Sequence, residues 1–190
     1  MKTYYLYNFF KTDYPLNKDG LDEFVASFNL LTFKKNKIIL NEGESATTLR
    51  FLNRGIIREY LTNKDKETNI YFYTSPQFIT DFPSFINNSK TKKYQETLSE
   101  VELLSVGRKT FYDLLNKYPC GKSFIDLTFR KILEQKEIFE YNRITKSPTD
   151  LYKELLIYKP DWLRNIPQYH IASYLGVTPE TLSRIRKNIS

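Results

Sequence analysis

The sequence predicts an α+β chain in three parts: a β-rich sandwich or jelly roll, a long helix, and a C-terminal helix-turn-helix. Three observations carry this prediction. Short β-rich runs separated by turn residues fill Leu31 to Leu104. A helical pattern then runs from about Gly121 to Thr145. The last 25 residues, IPQYHIASYLGVTPETLSRIRKNIS, place a glycine stop and a Thr-Pro start between two apolar-periodic segments.

Residues 17 to 30 form an amphipathic pattern with Leu21, Phe24, Val25 and Phe28 on one face, which predicts a short helix. The runs LTFKK, KIIL, LRFLN, GIIREYLT, TNIYFYT and ELLSV then read as strands. Asn41-Glu42-Gly43-Glu44 and Asn63-Lys64-Asp65 supply turn chemistry, and Gly55 separates two strands. Many short strands at this spacing suit a sandwich or jelly roll. Thr110 to Lys117 predicts a helix that stops before Tyr118-Pro119.

Along the long helix Ile125, Ile132 and Phe139 recur every seven residues, the spacing of a seam that meets a partner helix. Further apolar residues widen that stripe, so the same helix is expected to pack on its own β domain. Ser147-Pro148 marks a boundary, because Pro148 ends helical continuation and the pair can cap and start a new helix, Thr149 to Tyr158. The expected divisions are 1–118 for the β-rich part, 119–146 for the dimerisation helix and 147–190 for the helix-turn-helix part.

In that last part the first helix runs from Gln168 to about Leu175, and Gly176 permits the left-handed cap that ends it. Thr178 offers an oxygen to the free amides of the next helix, and Pro179 sits where its missing N–H costs nothing. Ile171, Ala172, Leu175 and Val177 hold the pair together. Glu180 and Arg184, four residues apart, share the outer face of the second helix, with Ser183 beside them. Arg184 can fork onto a guanine and Glu180 can accept from a cytosine amino group. Gln168, Tyr169, His170, Thr178, Thr181, Arg186 and Lys187 are expected at phosphates.

Composition narrows the alternatives. Net charge is +7, which favours an anionic partner. Residues 147 to 190 hold six Lys/Arg against four Asp/Glu, so much of the basic excess lies elsewhere and the motif carries the argument. One cysteine, Cys120, leaves no intramolecular disulfide framework and fits a reducing cytoplasm. No apolar stretch reaches membrane-span length, and the aromatic N-terminus lacks signal-peptide features. With one histidine, His170, and no nucleophile–base pair, glycine-rich phosphate loop or metal-ligand cluster, an enzyme is not expected.

The run from Ile166 to Ile185, above all Glu180-Thr181-Leu182-Ser183-Arg184, resembles the DNA-binding end of the Crp/Fnr family of transcription regulators. The order of elements resembles that family's plan over nearly the whole chain: N-terminal helix, β-roll, dimer helix, helix-turn-helix. The resemblance implies a cytoplasmic homodimer on double-stranded DNA, with RNA polymerase as a further partner and Glu180 and Arg184 at bases. The chain ends after the second helix, so no contacts from a hairpin wing are expected.

The family's cyclic-nucleotide pocket is marked by F-x-G-E-x-x-x-[LF] and then R-[ST]-A. Here the matching runs are Phe78-Ile79-Thr80-Asp81-Phe82-Pro83-Ser84-Phe85 and Thr91-Lys92-Lys93. Thr80 replaces the glycine, Asp81 the ribose-binding glutamate and Thr91 the phosphate arginine. A lysine supplies charge but no bidentate fork. Cyclic AMP is therefore not expected to bind, and no cofactor or metal is expected. Arg58, Thr80, Asp81, Thr91 and Lys92 remain the candidate lining for an unidentified effector. The competing expectation is a β-roll module that binds a small ligand or protein and no DNA.

Overall fold

The computed structural model describes residues 3–13, 18–64, 66–118, helical positions 127, 130, 131, 133, 134, 137, 138, 141 and 142, and residues 144–189. Among them are eight strands: β1 (Asn29–Phe33), β2 (Ile38–Leu40), β3 (Thr48–Arg54), β4 (Ile57–Asn63), β5 (Lys66–Tyr73), β6 (Gln77–Phe78), β7 (Tyr94–Thr97) and β8 (Val101–Gly107). They pair antiparallel in two four-stranded sheets, ordered β1-β8-β3-β6 and β2-β7-β4-β5. The alternation of side chains along each strand sorts the core. Leu49, Phe51, Leu104 and Val106 face the N-terminal helices, while Leu52, Val101 and Leu103 turn to the inside of the roll with Ile57 and Ile79. Gly55, with φ +108°, joins β3 to β4; a Cβ there would lie 2.4 Å from the Glu100 carbonyl oxygen, so the turn requires glycine.

The expected helix is α2 (Lys18–Ala26), and Leu21, Phe24, Val25 and Phe28 are all buried. An unexpected helix, α1 (Tyr4–Asp13), precedes it and buries Leu6 and Phe10. Consecutive aromatic residues hide its periodicity in sequence. Their rings form the packing: Phe10 stands 4.7 Å from Phe24, and Phe9 stands 5.1 Å from Phe78. Strand β7 also carried no signal, because its inward residues Gln95 and Thr97 are polar, yet both are buried. The short α3 (Phe82–Asn87) follows Asp81, and α4 (Arg108–Lys117) closes the roll with Phe111, Leu114 and Leu115.

Described positions between Leu127 and Thr145 are helical. Ile125, Ile132, Phe139 and Cys120 lie outside the described residues. Their described neighbours Leu133, Ile138, Tyr141 and Ile144 leave 61%, 59%, 63% and 84% of their surface open.

Four helices follow: α5 (Pro148–Tyr158), α6 (Pro160–Asn165), α7 (Gln168–Leu175) and α8 (Pro179–Ile189). Ser147 caps α5, accepting from the Asp150 N–H at 3.2 Å, with Pro148 in the first turn. Gly176, with φ +71°, turns α7 toward α8, and the Val177 N–H donates to the Ala172 carbonyl at 3.0 Å. Tyr152, Leu155, Trp162, Ile166, Ile171, Ala172, Leu175, Leu182 and Ile185 form the core of these helices, and Phe72 of β5 completes it. The Trp162 ring meets Phe72 edge-on at 5.0 Å and Tyr174 at 5.2 Å. The helices thus share a core with the roll.

Candidate nucleic-acid interface and the interior of the roll

On α8 the apolar spacing buries Leu182 and Ile185 against α7, which leaves Glu180, Ser183, Arg184, Arg186 and Lys187 exposed and Thr181 half-buried. The Thr178 hydroxyl accepts from the Thr181 N–H at 3.3 Å and starts the helix as expected. The Glu180 carboxyl is held below its ordinary range by its own backbone N–H, by the Thr178 hydroxyl and, more weakly, by Arg184. An acceptor and a fork donor therefore stand on one open helix face. Tyr169 at the start of α7 is exposed, and Gln168 is half-buried.

His170 departs from the expectation of a phosphate contact. It is 6% exposed and faces β5, where Asn69 Nδ2 lies 3.2 Å from its Nδ1. Burial, and then the positive charge of Arg58, push its pKa from 6.5 to about 4, against an opposing pull from Glu67. It is neutral and turned away from solvent. On a helix with both open and covered sides, sequence alone does not say which side a neighbouring sheet will take.

Inside the roll, three of the candidate lining residues, Thr80, Asp81 and Thr91, are held by one another and by residues that spacing did not reveal. Thr91 Oγ1 donates to Asp81 Oδ2 at 2.5 Å. Lys93 Nζ lies 3.1 Å from Glu59 Oε1 and 3.7 Å from Asp81 Oδ1. Gln95 Nε2 donates to Glu59 Oε2 at 2.9 Å and to the Ile79 carbonyl at 2.5 Å, and the Tyr73 hydroxyl donates to Glu59 at 3.2 Å. Thr80 Oγ1 accepts from the Arg50 N–H at 2.7 Å. Burial, reinforced by Glu59, pushes the Tyr73 hydroxyl well above its ordinary range. Burial works against charge on Lys93, but Glu59 and Asp81 outweigh it and raise its pKa.

Two candidate lining residues fall elsewhere. Lys92 is exposed, and its neighbour Lys93 takes the inward place. Arg58 sits on the opposite face of β4 from Glu59, as alternation requires. There it pairs with Glu67 and Glu96, each at 2.6 Å, and lies 4.0 Å over the Tyr60 ring. Among the described residues no group of three or more His, Cys, Asp or Glu is placed to hold a metal ion, and no helix is long and apolar enough to cross a membrane.

Residues 30–118 match the cyclic nucleotide-binding domain family. No curated protein matches the chain by sequence. Among solved structures, the c-di-GMP responsive global regulator CLP of Xanthomonas campestris shares the fold with a TM-score of 0.70 and 17% identity, over 91% of each chain. FixK2 of Bradyrhizobium japonicum follows with 0.73 and 16%, over 85% of this chain and 84% of that one. The catabolite activator protein of Thermus thermophilus gives 0.55 and 16%, over 93% and 84%. At these identities the likeness is one of fold, and it extends past the roll to the C-terminal helices.

Proposed function

We propose that this chain is a cytoplasmic, homodimeric transcription regulator of the Crp/Fnr type that places α8 in the major groove of an inverted-repeat operator. The observation that carries the reading is the open face of α8. Glu180, Ser183 and Arg184 point outward on a helix pinned by Leu182 and Ile185, after a glycine turn and a threonine cap. The fold shared with CLP and the catabolite activator protein, both regulators by name, supports the same class. In this reading residues 1–118 are the sensory roll, 119–146 the dimer helix and 147–190 the DNA-binding part, with RNA polymerase a further partner. Gln168, Tyr169, Thr178, Thr181, Arg186 and Lys187 contact phosphates and set register. The exposed Leu133, Ile138, Tyr141 and Ile144 suit a helix covered by a second copy.

The roll does not take cyclic AMP. Glu59 and Asp81, 4% and 5% exposed, put two carboxylates against a single lysine, an interior that repels an anion, and Thr91 is already spent on Asp81. Sheared DNA titrated at two salt concentrations tests the reading. Counterion release predicts a steep fall in affinity with salt. A roll that serves as a ligand or protein module shows no binding at either.

A further inference from the structure

We infer that Asn69, on the outer strand of its sheet, is a positioning residue for DNA recognition: it fixes α7 on the roll and so sets where α8 meets DNA. The inference rests on the DNA-binding reading above. Strand β5 ends the order β2-β7-β4-β5, so among the described residues one of its edges has no strand partner. Such an edge exposes backbone groups that must be satisfied. Ser173 of α7 does this with one hydroxyl, which accepts from the Asn69 N–H at 3.1 Å and donates to the Glu67 carbonyl at 3.2 Å. Both functions of the hydroxyl are used, so α7 cannot slide along β5 without losing them.

The Asn69 side chain adds a second constraint. It is 2% exposed, and its Nδ2 reaches both His170 Nδ1 at 3.2 Å and the His170 carbonyl at 3.3 Å. Its Oδ1 lies 3.5 Å from an Arg58 nitrogen. Arg58 is itself held by Glu67, Glu96 and the Tyr60 ring, so Asn69 is oriented from the roll side. The neighbouring apolar contact of Phe72 with Trp162 supplies attraction, but apolar contact is non-directional, whereas these hydrogen bonds are directional. Since α8 packs on α7 through Leu175, Leu182 and Ile185, fixing α7 fixes α8. In a two-fold dimer the separation of the two recognition helices is the half-site spacing of the operator.

The test uses the full-length chain and an operator selected from random DNA. Wild type, Asn69→Ala, Ser173→Ala and Ser173→Thr are titrated on a single half-site and on inverted repeats whose spacer is lengthened or shortened by one and two base pairs. Losing these hydrogen bonds is expected to cost about tenfold on the native spacer. Affinity for the half-site stays within about twofold, because the reading face of α8 is untouched. The preference among spacers flattens, and Ser173→Thr, which keeps the hydroxyl, restores it. Lost stability alone would lower half-site and full-site binding together. If Asn69→Ala fails to fold, Ser173→Ala carries the comparison. An unchanged spacer profile in a folded variant overturns the inference. Wild type that binds no DNA overturns the regulator reading itself, and is seen before any variant is compared.

Discussion

Asn69 Nδ2 stands 3.2 Å from His170 Nδ1 across the junction of the roll and the C-terminal helices. An amide nitrogen only donates, so the ring nitrogen must accept, and the imidazole must be neutral. Beside it Arg58 disfavours a second positive charge, and Glu67 opposes only part of that effect.

Stability should therefore depend on pH through His170. Its folded pKa, about 4, is below its ordinary 6.5. The unfolded chain takes up the proton first, so stability is intact above 6.5 and is lost as pH falls toward 4. Linkage gives about 2 kcal/mol lost by about pH 5. Denaturant unfolding over about pH 7.5 to 5 should show this loss in wild type and a flatter profile in His170→Gln. Parallel profiles would contradict it.

Lys93 is shared between two buried carboxylates, Glu59 and Asp81. Lys93→Ala strands Glu59 and Asp81 without a cation, and should destabilise by about 2 kcal/mol after allowance for the partial exposure of the lysine. Adding Glu59→Gln should recover part of that loss. A double variant less stable than Lys93→Ala would show that the two groups do not compensate each other.

Cyclic AMP should leave the melting temperature unchanged at millimolar concentration, since a ligand that prefers the folded state must raise it. Asp81 already accepts from Thr91, and among the described residues its ion-pair partner is Lys93, not an arginine. A shift of several degrees would mean that Lys93 leaves its carboxylates to hold the phosphate.

Arg184→Ala should cost about 5- to 150-fold on the selected operator and relax one base position. Lys187→Ala should weaken all sequences alike and flatten the salt dependence. Full discrimination between operator and scrambled DNA by the Arg184 variant would remove it from base reading.

Features written in local periodicity were legible in the sequence. The bounds of α7, the Gly176 turn, the Thr178 cap and the Ser147 cap of α5 followed from residue types at fixed offsets. So did the burial of Leu21, Phe24, Val25 and Phe28. What was hidden depends on partners distant in sequence. Strand β7 buries Gln95 and Thr97, which look like surface residues until Glu59 and the backbone of Lys34 are seen to receive their hydrogen bonds. In helix α1 the aromatic residues Tyr4, Tyr5, Tyr7, Phe9 and Phe10 fall on several sides and blur its period. His170 was placed at phosphate because nothing local reveals that β5 covers its side of α7. That Thr80 and Thr91 stand where the resembled pocket pattern has a glycine and an arginine could be read from the sequence. Lys93, Gln95 and Tyr73 as the groups that hold Glu59 in place were not.

Selection of bound sites from a random DNA pool tests the central claim most directly. One inverted repeat should be enriched, its half-sites about one helical turn, roughly 10 base pairs, apart. No enrichment over the starting pool, or a bound sequence without two-fold symmetry, would contradict it.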